Sequence, residues 1–265
     1  MTIASWSDYI AAKKERVVIV RTANVTATAA MWTTVFQAAG NPGAGTLGGS
    51  NTANGIVPTD ARSGFPTISA YAGGASGYIG KASFKASVAG SALLADRIFE
   101  AGAYSFNANT TLASQPSYSS RVPGGNDYTN TELWIETVTA FTGNPSFAIT
   151  YTNQDGTTAR STGTIASGAA FAVARMLNLP LQAGDTGIQK IENVTCTVAS
   201  AGTFNVLVLR PLVMFDVRVA NAADIQGLDR TGMPEVWADS CLGIYCQPDS
   251  TNTPIFRCEF DVVSK

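Results

Sequence analysis

Glutamates on either side of a tryptophan are the residues whose types and spacing could do chemistry in this sequence. From Glu132 onwards, polar and apolar side chains alternate, which predicts a half-buried strand with Glu132, Trp134 and Glu136 on one face. Two carboxylates beside an aromatic ring are typical of sugar-cleaving sites. The solvent-facing side of a strand explains the same pattern. We favour that interpretation, with Leu133 and Ile135 in the core.

The rest of the composition argues against catalysis. The 265 residues include no histidine, which is the usual proton carrier near neutral pH and a frequent metal ligand. Asp96 and Glu100 are a second carboxylate pair close in sequence, and no hydroxyl nucleophile has an evident partner base. We therefore predict that the chain is not an enzyme and has no catalytic residue, cofactor or metal ion.

Two further patterns match ligand sites only as strings of letters. Gly43, Gly45 and Gly48 fit the dinucleotide-binding string GxGxxG, but that site needs a strand before the glycines and a helix after them. Here a helix-like segment precedes the glycines, so no nucleotide site is predicted. The cysteines are irregularly spaced and lack histidine partners for zinc, so we expect buried free thiols. They are Cys196, Cys241, Cys246 and Cys258.

The charge balance excludes several classes of partner. Charged residues make up 14% of the chain and the formal net charge is −2, so there is no basic excess for direct nucleic-acid binding. The dense basic run at residues 13–16 predicts a solvated helix face. No stretch reaches the roughly 18 apolar residues of a membrane span, and no secretory signal is recognisable, so we expect synthesis in a cytoplasm without a membrane partner. Low charge favours association, which indicates an assembling subunit; an ordinary soluble monomer is the alternative.

The first forty residues predict short elements. Ser5 or Ser7 can serve as the N-cap of a short helix, with Asp8 in its first turn. A buried strand is predicted at residues 17–20 because they are β-branched. A second short helix is predicted at residues 29–39, where large apolar side chains recur at helical spacing.

Residues 41–77 consist mostly of small and polar residues that cannot form a core of their own. We predict that they form a long extended arm which lies over a neighbouring subunit. A loose surface loop is the alternative.

From residue 78 onwards, strand and turn signals dominate. Asp155 and Gly156 between two threonine-rich strands are a strong hairpin signal. Short strands separated by turns predict a mainly β fold, an antiparallel β-sandwich of jelly-roll-like type. The predicted organisation is an N-terminal helix and strand at 1–40, the arm at 41–77 and the sandwich domain at 78–265. Residues 220–265 could form a small C-terminal subdomain within it.

Several phrases of the sequence resemble a known group of proteins. They are residues 106–116 (FNANTTLASQP), 121–125 (RVPGG), 151–156 (YTNQDG) and 179–188 (LPLQAGDTGI). With these phrases the chain resembles structural proteins of tailed-bacteriophage virions, over most of residues 32–211. The phrases are not chemical motifs, so they carry over no site residue.

The resemblance implies a virion structural protein, and among these we expect a capsid decoration (cement) protein on the head surface. Such a subunit binds the lattice of the major capsid protein through many weak contacts and commonly assembles as a homotrimer. A tail-tube or neck (connector) ring subunit is the first alternative. A glycan-binding tail protein is the second, and only the residues around Trp134 suggest it.

Overall fold

The computed structural model of the chain describes residues 5–72, 75–168 and 171–264. The helices are α1 (Trp6–Ala12) and α2 (Leu228–Thr231), and 3-10 turns lie at Ser119–Arg121 and Pro123–Gly125. The strands of the first part are β1 (Lys13–Arg21), β2 (Thr33–Thr34), β3 (Gly40–Asn41), β4 (Gly77–Ala86), β5 (Gly90–Ser105), β6 (Thr110–Thr111), β7 (Glu132–Thr139) and β8 (Ser146–Asn153). The later strands are β9 (Arg160–Ser161), β10 (Ile165–Ala166), β11 (Met176–Leu179), β12 (Ile188–Val198), β13 (Thr203–Val217), β14 (Ala223–Gln226), β15 (Glu235–Val236), β16 (Leu242–Pro248) and β17 (Phe256–Ser264).

The described part of the chain divides into two compact units, each built from separate stretches of sequence. Unit 1 is Met1–Thr46, Thr59–Asp96 and Leu212–Lys265, and unit 2 is Leu47–Pro58 and Arg97–Pro211. These limits differ from those expected from the sequence, because the long strands β5 and β13 contribute residues to both units. Turn signals mark where strands end, but they do not show which strands pair.

Unit 1 contains an antiparallel sheet with the strand order β14-β4-β17-β1-β3, and β15 also pairs with β4. The other strands that contribute residues to this unit, β13, β5, β16 and β2, are neighbours in that order. One hydrophobic core joins alternate residues of both sets, as expected for two packed sheets. Its members include Val17, Ile19, Ile79, Phe84, Leu94, Phe215, Ile244, Cys258 and Phe260.

Unit 2 also has two sets of antiparallel strands, β10-β8-β12-β6 with β9 on β8, and β11-β7-β13-β5. Aromatic rings join them in the core, with ring centroids 4.7 Å apart for Phe106 and Phe204 and 5.5 Å apart for Phe147 and Phe204. The expected fold class is confirmed: the chain is mainly β, with antiparallel sheets that pack as sandwiches and a short N-terminal helix.

The predicted cap and hairpin form as expected. Ser5 is the N-cap of α1, and its Oγ accepts a hydrogen bond from the N–H of Asp8 at 3.2 Å. The N–H of Gly156 bonds to the carbonyl of Asn153 at 3.1 Å, and β9 then pairs with β8. Both features are local, because each depends on residues that are close in sequence.

Two helical predictions are wrong. Residues 13–16 do not form a helix face but begin β1, which pairs with β17 along its whole length, from Lys13 opposite Val263 to the pair Arg21 and Phe256. Residues 29–39 form turns around β2, which pairs with β16. In both segments, pairing with a strand more than two hundred residues away outweighed the local helical signal.

The extended segment 41–77 includes core residues of its own chain. Phe65 and Ile68 are buried, and the carbonyl of Gly64 accepts a hydrogen bond from Arg21 Nη2. The N–H of Ile56 bonds to the carbonyl of Glu100. Only the exposed residues of this segment could contact a neighbouring subunit, and for them that contact stays a prediction. Its deletion would remove core residues as well.

Candidate functional site

Glu136 lies inside unit 2, where it forms an ion pair with Arg97. Arg97 Nη2 donates to Glu136 Oε1 at 2.5 Å, while Nη1 donates to Glu136 Oε2 at 3.2 Å and to Glu100 Oε2 at 2.7 Å. Asn205 Nδ2 also donates to Glu136 Oε2, at 3.1 Å. All four side chains are fully buried. The predicted solvent-facing position of Glu136 is therefore wrong.

This cluster escaped sequence reasoning because its members come from different strands. Arg97 precedes Glu136 by 39 residues and lies on β5, whereas Glu136 lies on β7. Alternation along a strand shows which residues share a face, but not whether that face is covered. Leu133 and Ile135 are buried as predicted, so both faces of β7 are covered around these residues.

Glu132 has a different environment from Glu136. Its Oε2 accepts hydrogen bonds from Trp134 Nε1 at 2.8 Å and from Asn178 Nδ2 at 3.0 Å. Burial raises the pKa of the Glu132 carboxyl, and the two hydrogen bonds offset part of that rise. Trp134 is only 2% exposed, so its ring is not available to stack on a sugar.

The structure does not combine Glu132 and Glu136 into an acid–base pair. Both oxygens of Glu136 are bound to Arg97, whereas Glu132 Oε2 accepts hydrogen bonds from Trp134 and Asn178.

Asp96 and Glu100, the second carboxylate pair, also bind different partners. Asp96 is buried in unit 1, where its Oδ2 accepts a hydrogen bond from Ser240 Oγ at 2.9 Å. Glu100 belongs to unit 2 and binds Arg97. Each carboxylate therefore has a structural partner of its own.

Asp185 anchors a turn of unit 2 through several hydrogen bonds. Its Oδ2 accepts from Arg160 Nε at 2.9 Å and from Tyr151 Oη at 2.7 Å, and its Oδ1 accepts from Asn153 Nδ2 at 2.8 Å. The hydrogen bond from Arg160 is the main reason why the pKa of Asp185 falls to about 2. The cluster ties the turn before β12 to β8 and β9 and stabilises the charged form of Asp185.

The glycines of the GxGxxG string have no phosphate-loop surroundings. Only the two-residue strand β3 precedes them, and no helix begins in the described residues between β3 and β4. Gly45 is needed for packing, because a Cβ there would lie 2.3 Å from the carbonyl oxygen of Ser63. A Cβ at Gly48 would meet nothing within 4 Å.

The cysteines are free thiols in the structure. Cys241, Cys246 and Cys258 are buried as predicted, and burial raises the pKa of Cys246 and Cys258. Cys196 is only half-buried, which corrects the prediction for this residue. Among the described residues, no group of three or more acidic or cysteine side chains could hold a metal ion.

Exposed apolar residues on α1 form the surface with the clearest potential for binding. Trp6 is 71% exposed and Ile10 is 69% exposed, and their spacing of four places them on one side of the helix, here called the helix face. Tyr9 holds α1 on unit 1, since its Oη donates to Asp261 Oδ2 at 3.2 Å and accepts from the N–H of Lys81 at 3.1 Å. Burial raises the pKa of Tyr9. The sequence predicted this helix but not the exposure of its apolar residues.

The adjoining side of the sheet β14-β4-β17-β1 turns away from the core and carries charged side chains. Asp261 Oδ1 lies 2.8 Å from Lys13 Nζ and 3.3 Å from Arg16 Nε, and the Arg257 guanidinium bonds to Glu259. Arg16, Lys81, Glu259 and Asp261 line a shallow depression of about 130 Å³ on this side.

No helix among the described residues is long and apolar enough to span a membrane. Comparison with protein-family models, with curated proteins and with solved structures finds no match to this chain.

Proposed function

We propose that the chain is a structural subunit of a tailed-phage virion which decorates the head and stabilises the lattice of the major capsid protein, without performing chemistry. The sequence resemblance supports the virion assignment, and a mainly β fold is compatible with it. The observation that carries the binding role is the helix face, where Trp6 and Ile10 are held in solvent on an anchored helix. Neighbouring exposed apolar side chains on an anchored helix are a candidate interaction site.

The size of the helix face explains why repeated copies are needed. Burying a large apolar side chain contributes about 1.5 to 3 kcal/mol, so Trp6 and Ile10, scaled by their exposed fractions, contribute about 2 to 4 kcal/mol per subunit. Association costs an estimated 4 to 15 kcal/mol in lost freedom, so one helix face alone binds weakly. A homotrimer would present three copies to a repeating lattice and convert weak contacts into stable attachment.

The test is co-sedimentation of the purified chain with phage heads that lack it. We expect the double variant Trp6→Ser with Ile10→Ser to bind at least tenfold less than the wild type, while it keeps its oligomeric state and thermal stability. Val219→Ser is the matched control, because Val219 is an exposed apolar residue of the same unit that lies between β13 and β14 and not on α1.

Undiminished binding by the double variant would contradict the role of the helix face. Negative-stain images of the purified chain add a second criterion. Trimers agree with a decoration protein, whereas closed rings or tubes would favour the alternative of a tail-tube or neck subunit.

A further inference from the structure

β1 is an edge strand over most of its length. β3 pairs only with the last two residues of β1, through Gly40 and Asn41. Pro42 follows and has no N–H with which to extend the ladder. Among the described residues, no strand lies beside residues 13–19 on this side of β1.

A hydrogen bond of Thr22, the residue after β1, shows which backbone groups of β1 point to the open edge. The N–H of Thr22 donates to the carbonyl of Ala39 at 2.8 Å, so the backbone groups of Thr22 point to the side of β3. Residues of an antiparallel strand direct these groups alternately to either side, and the pairing of β1 with β17 is regular from Arg16 to Arg21. The N–H and C=O groups of Arg16 and Val18 therefore point to the open edge.

These backbone groups face a short groove of about 300 Å³. Residues 15–18 of β1 line it together with Asn41, Pro42 and residues 65–67. At the end of the groove near Glu15, the N–H of Ser69 donates to Glu15 Oε1 at 2.8 Å. Because residues 65–67 bound the groove opposite β1, an isolated extended segment suits it better than the edge of another sheet.

We propose that this groove binds an extended segment of a partner protein, which adds to β1 as a further strand. Main-chain hydrogen bonds to Arg16 and Val18 would supply the affinity, as in other strand-addition complexes. A residue opposite Val17 would face the buried side chains of Val17 and Phe65, which favours a small or β-branched apolar residue. This inference goes beyond the proposed function and does not depend on it.

Charge defines the partner further. Arg16 already lies 3.3 Å from Asp261 and 3.5 Å from Glu259, but Lys13, Lys81 and Arg257 are on the same side of the sheet, so cations outnumber carboxylates there. A carboxylate on the residue paired with Arg16, whose side chain is 57% exposed, would therefore be favourable. A second copy of the chain is disfavoured, because two β1 edges paired about a twofold axis would bring Arg16 and Lys14 of both copies together. The occupant is therefore a heterologous, extended segment with alternating apolar and acidic residues.

The probe for this site is the acetylated and amidated peptide STVDVS, added to the full chain and followed by amide NMR and hydrogen exchange. In the free protein we expect fast exchange at Arg16 and Val18 and slow exchange at Val17 and Ile19, whose amides point to β17. Saturating peptide should slow exchange at Arg16 and Val18 at least tenfold. The peptide STVKVS should bind several-fold more weakly because its lysine would face Arg16.

Val18→Pro removes the donor from the open edge while it leaves the ladder with β17 intact, so this variant should fold and lose the peptide. Val18→Thr keeps the amide and should retain binding. A peptide N-methylated at its threonine and aspartate, which lie opposite Val18 and Arg16, tests the same hydrogen bonds without changing the protein, and it should not bind. Equal binding by Val18→Pro or by the methylated peptide, or no protection at millimolar STVDVS, would overturn the proposal. Protection that rises with protein concentration in the absence of peptide would also overturn it, in favour of a second copy.

Discussion

Replacing Glu136 with glutamine tests whether the ionic cluster of unit 2 is part of its structural core. Arg97 would keep Glu100, but an amide nitrogen would replace one of the carboxylate oxygens that now bind its guanidinium. Removing one partner of a buried ion pair lowers the free energy of unfolding by about 3 to 5 kcal/mol. Because Glu100 would still pair with Arg97, we expect a loss at the lower end, about 3 kcal/mol. For a chain of this size that loss lowers the melting temperature by about 6 to 12 °C.

Urea unfolding followed by tryptophan fluorescence and by circular dichroism would measure this loss, because Trp134 lies on the same strand as Glu136. Glu132→Gln is the matched control on that strand. A glutamine oxygen can still accept the hydrogen bonds from Trp134 and Asn178. Because burial raises the pKa of Glu132, its ionised form lowers stability at neutral pH, and removing that charge should leave the free energy of unfolding unchanged or slightly higher.

Equal stability of Glu136→Gln and the wild type would refute the structural role of the cluster. A loss of stability in Glu132→Gln as large as that in Glu136→Gln would also refute it, since the two carboxylates would then have equivalent environments. The expected result is a large loss for Glu136→Gln and none for Glu132→Gln.

Three further predictions concern single residues. Gly45→Ala should lower the free energy of unfolding by about 1 to 3 kcal/mol in urea titrations through a clash with a backbone carbonyl, whereas Gly48→Ala should be neutral. The pKa of Asp185 is about 2, so its charged form stabilises the fold at pH values above the ordinary aspartate pKa of about 4. This stabilisation is lost as the pH falls through 2. The melting temperatures of the wild type and Asp185→Asn should therefore converge near pH 2. In the native protein, a thiol reagent should label Cys196 first in peptide mass mapping, and the buried cysteines only on unfolding.

Local signals in the sequence were reliable. The cap at Ser5 and the turn at Asp155 and Gly156 involve residues within a few positions of one another, so their chemistry is legible without knowledge of the fold. The fold class followed from many such turns and strands together.

Predictions failed where distant strands decide the outcome. Residues 13–16 and 29–39 have helical patterns, but pairing with β17 and β16 placed them in strands and turns. Glu136 was assigned to solvent because its partner Arg97 lies on another strand. Phe65 and Ile68 are also core residues that the sequence did not indicate, because they lie in the segment of small and polar residues at 41–77. None of these contacts has a local sequence signature.

The two proposed contact surfaces follow each other directly in the sequence, since α1 carries the helix face and β1 carries the open edge. Asp261 connects them physically: it accepts a hydrogen bond from Tyr9 of α1 and lies within ion-pair distance of Lys13 and Arg16 of β1. Asp261→Asn would therefore disturb the support of both surfaces at once and could not separate head binding from strand addition. Trp6 and Val18 can separate them, because Trp6 is exposed on the helix and Val18 takes part at the edge through its backbone groups and not through its side chain. If head binding is lost in the Trp6 variant while the peptide still protects Val18, the two surfaces act independently despite their shared anchor.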